Sequence, residues 1–216
     1  TETYESIKTY IVMNYDGLRD TIAQMIAGER KKIDTTTFTN DMVTFQIQDD
    51  VPTVFGVFQD ALLKILGHPT EIKGCSRTDS GVHAKCYYLS FETEKQLNIP
   101  RLPLALNANL PADIRVLSAQ QVDDGFHARY DCQGKEYTYY IKNSHIDDPF
   151  SHQYYWRVPS QLDVEKMNEA AQYYVGRQDF RSFMAAKSKI TDCVRTVHSA
   201  SVCRDGDMVI FKVSAD

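Results

Sequence analysis

One stretch of the chain concentrates residues able to do chemistry: Gly74-Cys75-Ser76-Arg77-Thr78-Asp79-Ser80-Gly81-Val82-His83-Ala84. Arg77 and Asp79 stand two positions apart, so in an extended backbone both side chains point to one side. A carboxylate beside a guanidinium stays ionised at neutral pH. That makes Asp79 a candidate nucleophile and Arg77 its electrostatic partner. The same residues also read as a plain turn, in which the aspartate bonds its own backbone and glycine takes a positive φ. Composition alone favours the turn.

The flanking segments must position this stretch. Residues 70–73 and 85–91 read as strands on either side of it. Residues 54–66 form the strongest helix, with Val54, Val57, Phe58, Ala61, Leu62 and Ile65 on one apolar stripe. Thr53 caps its start and Gly67 ends it. Residues 7–15 alternate as a strand, with Ile7, Thr9, Ile11 and Met13 on one side. Residues 18–29 carry Leu18, Ile22, Met25 and Ile26 at helical spacing, and a polar loop over 34–41 follows.

Downstream come a short helix over 101–109, a strand over 114–122 and a strand over 135–141 that puts Tyr137, Tyr139 and Ile141 on one face. An amphipathic helix spans 162–175 and is closed by Gly176. Strands over 194–203 and 208–213 join through Asp205-Gly206, a hairpin dipeptide. This irregular order predicts an α+β fold, mainly antiparallel sheet with helices on one face.

A chain of 216 residues holds one large domain or two small ones. The five cysteines are scattered and odd in number, so reduced and mostly buried thiols are expected rather than a disulfide framework or a zinc site. No apolar run reaches the length of a membrane span, and a cytoplasmic protein is expected. No phosphate-cradling glycine loop with lysine and no His/Cys cluster is present, so neither a cofactor nor a metal is expected. The net charge of −5 is unusual for a nucleic-acid enzyme. A local cationic groove remains open to Arg77, Lys85, Arg129, Lys135, Arg177, Arg181, Lys187 and Lys189.

The eleven residues from Gly74 to Ala84, with an intact Arg-Thr-Asp-x-Gly-Val-His core, resemble the signature of the TruA family of tRNA pseudouridine synthases. Three further segments are similar to that family in the same order. They are Tyr15-Asp16-Gly17, the run from Ala105 to Ile114 ending Leu110-Pro111-Ala112-Asp113-Ile114, and Phe126-His127-Ala128-Arg129-Tyr130 leading to Lys135-Glu136-Tyr137. Asp179-Phe180-Arg181-Ser182-Phe183 resembles a later one.

The resemblance implies a pseudouridine synthase fold of two related lobes around a cleft, here 1–142 and 143–216, joined near a polar linker over 143–149. It implies tRNA as partner, bound at the anticodon arm, and a homodimer. Asp79 would be catalytic and Tyr137 would stack on the target base, for which a phenol ring is suited. Arg77 would orient Asp79 and hold the displaced nucleotide. Arg129 reads as a phosphate or Asp79 contact. For His127 a structural hydrogen bond is expected, and for Tyr139 half-buried sheet packing.

Two departures stand out. The counterpart of the family's early Gly-Phe/Trp-Gln segment, Phe45-Gln46-Ile47-Gln48, arrives only after an inserted segment of about 18–42. These residues also supply no Phe-Leu-x-x-Met-Val-Arg helix after the last strand. The C-terminal lobe is therefore expected to be incomplete and, if the chain ends at Asp216, to leave an open site and severely reduced activity. The competing reading is a non-catalytic RNA-binding module, or fragment, of the same fold.

Overall fold

The computed structural model describes residues 7–15, 53–78, 81–184 and 190–216. The helix expected over 18–29, the loop over 34–41, Asp16-Gly17, the Phe45 to Gln48 segment, Asp79, Lys187 and Lys189 lie outside the described residues. Contacts divide the chain into two compact units, Thr1–Cys132 and Gln133–Asp216. The fold is α+β, with helices packed on sheets that are antiparallel but for one edge pair.

The first unit is a four-stranded antiparallel sheet in the order β2-β3-β1-β4. Its strands are β1 (Ile7–Tyr15), β2 (Ile72–Gly74), β3 (Ala84–Thr93) and β4 (Ile114–Gln121). Thr9, Ile11 and Met13 pair with Phe91, Leu89 and Tyr87, which puts all six on one face. All six are buried. Helix α1 (Val54–Leu66) lays its stripe on this face through Val54, Phe58, Ala61 and Leu62, joined by Leu102 and Leu106 of α2 (Leu102–Asn107).

The ends of α1 are those its sequence specifies. Thr53 Oγ1 accepts from Gly56 N at 3.0 Å, and Gly67 closes the helix at φ 83° with its N–H on Leu63 O. On the opposite face of β3, Ser90 is buried beneath a turn whose Ala128 N donates to Ser90 Oγ at 3.4 Å.

The second unit is a five-stranded sheet in the order β6-β5-β9-β8-β7. Its strands are β5 (Lys135–Lys142), β6 (Trp156–Arg157), β7 (Gly176–Asp179), β8 (Val194–Asp205) and β9 (Met208–Ala215). Among the described residues only the β5–β6 pair is parallel. Helix α3 (Val164–Gln172) buries Val164 and Ala171 with Val197, Ala200, Val202 and Val209.

β7 pairs with β8 only as far as Val197, which leaves an open edge beyond it. Helix α3 closes that edge with side chains: Val202 N donates to Asn168 Oδ1 at 2.9 Å, and Gln172 Nε2 donates to Ala200 O at 2.8 Å. Backbone groups left without a ladder need such partners when buried. Gly206 turns the β8–β9 hairpin at φ 56°.

Several boundaries differ from the sequence reading. The division falls at Cys132/Gln133, and β5 pairs along its whole length with β9, so this strand belongs to the second unit. Residues 143–149 are not a bare linker. Asn143 Nδ2 donates to Val158 O at 2.9 Å and Ser160 O at 2.7 Å, while its Oδ1 accepts from Arg204 Nη2 at 3.0 Å. Nearby, Tyr155 Oη donates to Asp147 Oδ1 at 2.7 Å and Ser151 Oγ donates to Asp148. The Tyr155 hydroxyl holds the Asp147 carboxyl below its usual value against the opposing effect of desolvation, with Asp148 N–H and Arg157 adding smaller contributions. Ser151 and the Phe150 N–H do the same for Asp148.

The thiols are also less buried than expected. All five are free, but only Cys75 and Cys193 are buried, whereas Cys86 and Cys203 are exposed. Cys86 faces away from the α1 side because it alternates with buried Tyr87. Strands β6 and β7 escaped the sequence reading: one is two residues long, and Gly176-Arg177-Gln178-Asp179 has no apolar alternation.

Candidate active site

The signature stretch leaves the sheet where the β2–β3 ladder ends. Gly74 still pairs with Leu89, and Cys75 N donates to Tyr88 O at 2.9 Å. One residue later the ladder has run out, and a side chain takes over. Tyr87 Oη donates to Ser76 O, and Ser76 N donates back to the same oxygen at 3.4 Å. The chain returns through Gly81, at φ 79°, and enters β3 at Ala84. That φ lies in the left-handed region, which glycine occupies without a Cβ penalty. Asp79 and Ser80, between these anchors, lie outside the described residues.

Arg77 is exposed, and its guanidinium makes no hydrogen bond or ion pair among the described residues. Arg129 is likewise exposed, and its side chain has no partner there. The turn carrying Arg129 is rigid. Tyr130 N and Asp131 N both donate to His127 O, at 3.0 and 2.9 Å, and His127 N donates to Asp131 Oδ2 at 2.6 Å.

The His127 ring has the structural role expected of it. Its Nδ1 accepts from Arg129 N at 3.1 Å, and the ring packs on Tyr130 at 4.3 Å between centroids. An accepting Nδ1 places the imidazole proton on Nε2. Both arginines thus hang from fixed backbone tied to neighbouring positions of β3, Tyr87–Tyr88 for one and Ser90 for the other.

Tyr137 belongs to the second unit. It lies on β5 opposite Val213 of β9 and is 47% exposed, so its ring has a solvent-facing surface. Two residues on, Tyr139 stacks against Phe211 at 6.0 Å and 22°, but at 57% it is more exposed than the half-buried packing expected for it. Tyr137 and Tyr139 share the face of Ile141 by alternation. Gly134, just before β5, is pressed against the last residue of β9: a Cβ there would meet Ala215 O at 2.9 Å. Of the other basic candidates, Arg181 is tied to Asp179 at 3.7 Å, and Arg177 and Lys135 are exposed.

Sequence reasoning missed the parts that fix the site rather than form it. Tyr87 alternates with Leu89 and Phe91 and so reads as core, which its ring is; nothing in the pattern marks its hydroxyl. Ser90 goes unremarked in the sequence; it is buried and its Oγ accepts from Ala128 N.

Comparison with known proteins places this arrangement. A family profile described as tRNA pseudouridine synthase matches residues 38–131 and 170–216. The chain is 41% identical over 169 residues to tRNA pseudouridine synthase A of Brevibacillus brevis, covering 78% of this chain and 69% of that protein. It is 42% identical over 174 residues to the protein of that name from Moorella thermoacetica, covering 80% and 71%. Against the Thermoanaerobacter sp. (strain X514) protein it is 37% identical over 172 residues, covering 80% and 70%. On the profile match and on relatives this similar over most of its length, the chain belongs to the tRNA pseudouridine synthase family.

Proposed function

We propose that this chain isomerises uridine to pseudouridine in the anticodon stem-loop of tRNA, with Asp79 as the nucleophile. The reaction breaks the N1–C1′ bond, turns the base over and joins C5 to C1′; C5 loses its proton and N1 takes one up, so the product is an isomer of the substrate. It is redox-neutral and consumes no nucleotide. Asp79 attacks either C1′ of the sugar or C6 of the base, and the ionised carboxylate serves in both.

Arg77 and Arg129 take phosphate or the displaced nucleotide, and Tyr137 stacks on the target base. A base held in a helical stem must be turned out of its stack to be reached, and a glycosyl intermediate must be shielded from water. With this reading go a homodimer and a cytoplasmic location.

One observation carries the proposal most directly. Arg77 is an exposed guanidinium with no partner among the described residues, held on a stretch anchored to β3 at both ends and two positions from Asp79. An exposed guanidinium with its donors unused suits an anionic substrate.

The test is to incubate the 216-residue chain with a tRNA transcript and with the same transcript lacking its anticodon arm, then map pseudouridine by chemical modification and primer extension. Stops confined to the anticodon arm of the intact transcript support the reading. Modification elsewhere overturns the site assignment. Binding without any pseudouridine favours the non-catalytic RNA-binding module.

A further inference from the structure

We infer that Tyr87 is a positioning residue for the signature stretch, its phenol replacing the β2–β3 ladder where the chain turns toward Asp79. The inference rests on the reading of Asp79 as nucleophile. Up to Cys75 the stretch is held by backbone bonds to β3. At Ser76 both peptide groups, N–H and C=O, go to a single oxygen, Tyr87 Oη. A hydroxyl has one donor and two acceptor positions, so it serves both.

The ring that carries this hydroxyl cannot drift. Tyr87 is 2% exposed and belongs to the same buried cluster as Met13, Leu89 and Phe91. Its anchor therefore transmits the rigidity of the core to a loop residue three positions from Asp79. Ser76 is itself half-buried, so removing the hydroxyl does not simply hand its peptide to bulk water. Arg77 follows directly on the pinned residue, and its direction depends on the same bond. A general consequence of such anchoring is that small misplacements of reacting groups cost rate far more than they cost binding.

The test compares Tyr87→Phe, which keeps the ring and deletes only the oxygen, with Asp79→Ala and with Leu62→Ala. Leu62 is fully buried in the same core cluster but takes no part in the hydrogen bonds that hold Ser76, so its truncation reports core destabilisation with that anchor intact. For Tyr87→Phe, kcat on tRNA is expected to fall about tenfold while KM changes less than about twofold. Hydrogen exchange in a peptide spanning residues 74–78 is expected to quicken, with β1 and β4 unaffected. Leu62→Ala is expected to lower Tm more than Tyr87→Phe does and to keep kcat.

Unchanged exchange at 74–78 overturns the anchor whether or not the chain turns over. So does an unchanged kcat in Tyr87→Phe when Asp79→Ala is dead, or a kcat loss in Leu62→Ala equal to that in Tyr87→Phe. Turnover surviving in Asp79→Ala sinks the nucleophile reading instead, and the exchange result then stands on its own.

Discussion

Asn107 binds Val116 through both ends of its amide: Nδ2 donates to Val116 O at 2.9 Å, and Oδ1 accepts from Val116 N at 2.8 Å. The side chain of α2 thus acts as a short extra strand against β4, the edge of the first sheet. Asn107→Ala leaves both Val116 groups without their partner, at a cost of about 2 kcal/mol. A denaturant melt measures it. A loss below about 0.5 kcal/mol would mean that water replaces the amide.

Thr9 is fully buried on β1, and its Oγ1 has no hydrogen-bond partner among the described residues. Thr9→Val keeps the shape and removes the unsatisfied hydroxyl. A gain of up to about 1 kcal/mol is expected, readable as a higher Tm, because deleting an unpaired buried polar group is neutral or stabilising. Destabilisation would show that the hydroxyl has a partner.

Much of the fold was legible because local signals agreed with one another. Thr53, the stripe from Val54 to Ile65 and Gly67 each specify the same helix, and the alternation of Thr9, Ile11 and Met13 gives the core face of β1 outright. Less was legible where an element depends on a distant partner. Trp156–Arg157 is a strand only because β5 lies beside it, and Asn143 reads as a linker residue until Arg204 and Val158 arrive at its amide. Arg77 and Arg129 of the first unit and Tyr137 of the second were picked out as candidates by type and motif alone. Tyr87 was not, because hydrophobic periodicity records its ring and is blind to its hydroxyl.

Gly81 holds φ 79° at the return of the signature stretch. Any side chain there meets the left-handed penalty, so Gly81→Ala is expected to cost about 1 kcal/mol. Because the strain falls beside the stretch, turnover should drop by a larger factor than global stability explains. Parallel Tm and kcat measurements check this; a kcat that follows Tm alone contradicts it.

The loop closed by Tyr155 supplies a pH dependence whose sign is fixed. Asp147 and Asp148 both have carboxyls lowered from 3.8 in the folded chain, by the Tyr155 and Ser151 hydroxyls first of all. A depressed folded pKa means that their contribution is complete above the unfolded value and is lost as pH falls through the folded one. Order in residues 145–157 should therefore hold at neutral pH and decay below about pH 4. Tyr155→Phe should move that decay to higher pH. Amide spectra recorded across pH 2–6 test it, and a loop indifferent to acid in both proteins would refute it.

The proposed isomerisation turns on the carboxylate of Asp79, and the most direct measurement is tritium release from tRNA carrying 5-tritiated uridine, because joining C5 to C1′ expels the label. Asp79→Ala is expected to lower release by at least about a thousandfold while tRNA affinity stays within about threefold of wild type. Release by Asp79→Ala within tenfold of wild type, or a loss explained by weaker tRNA binding, would contradict it.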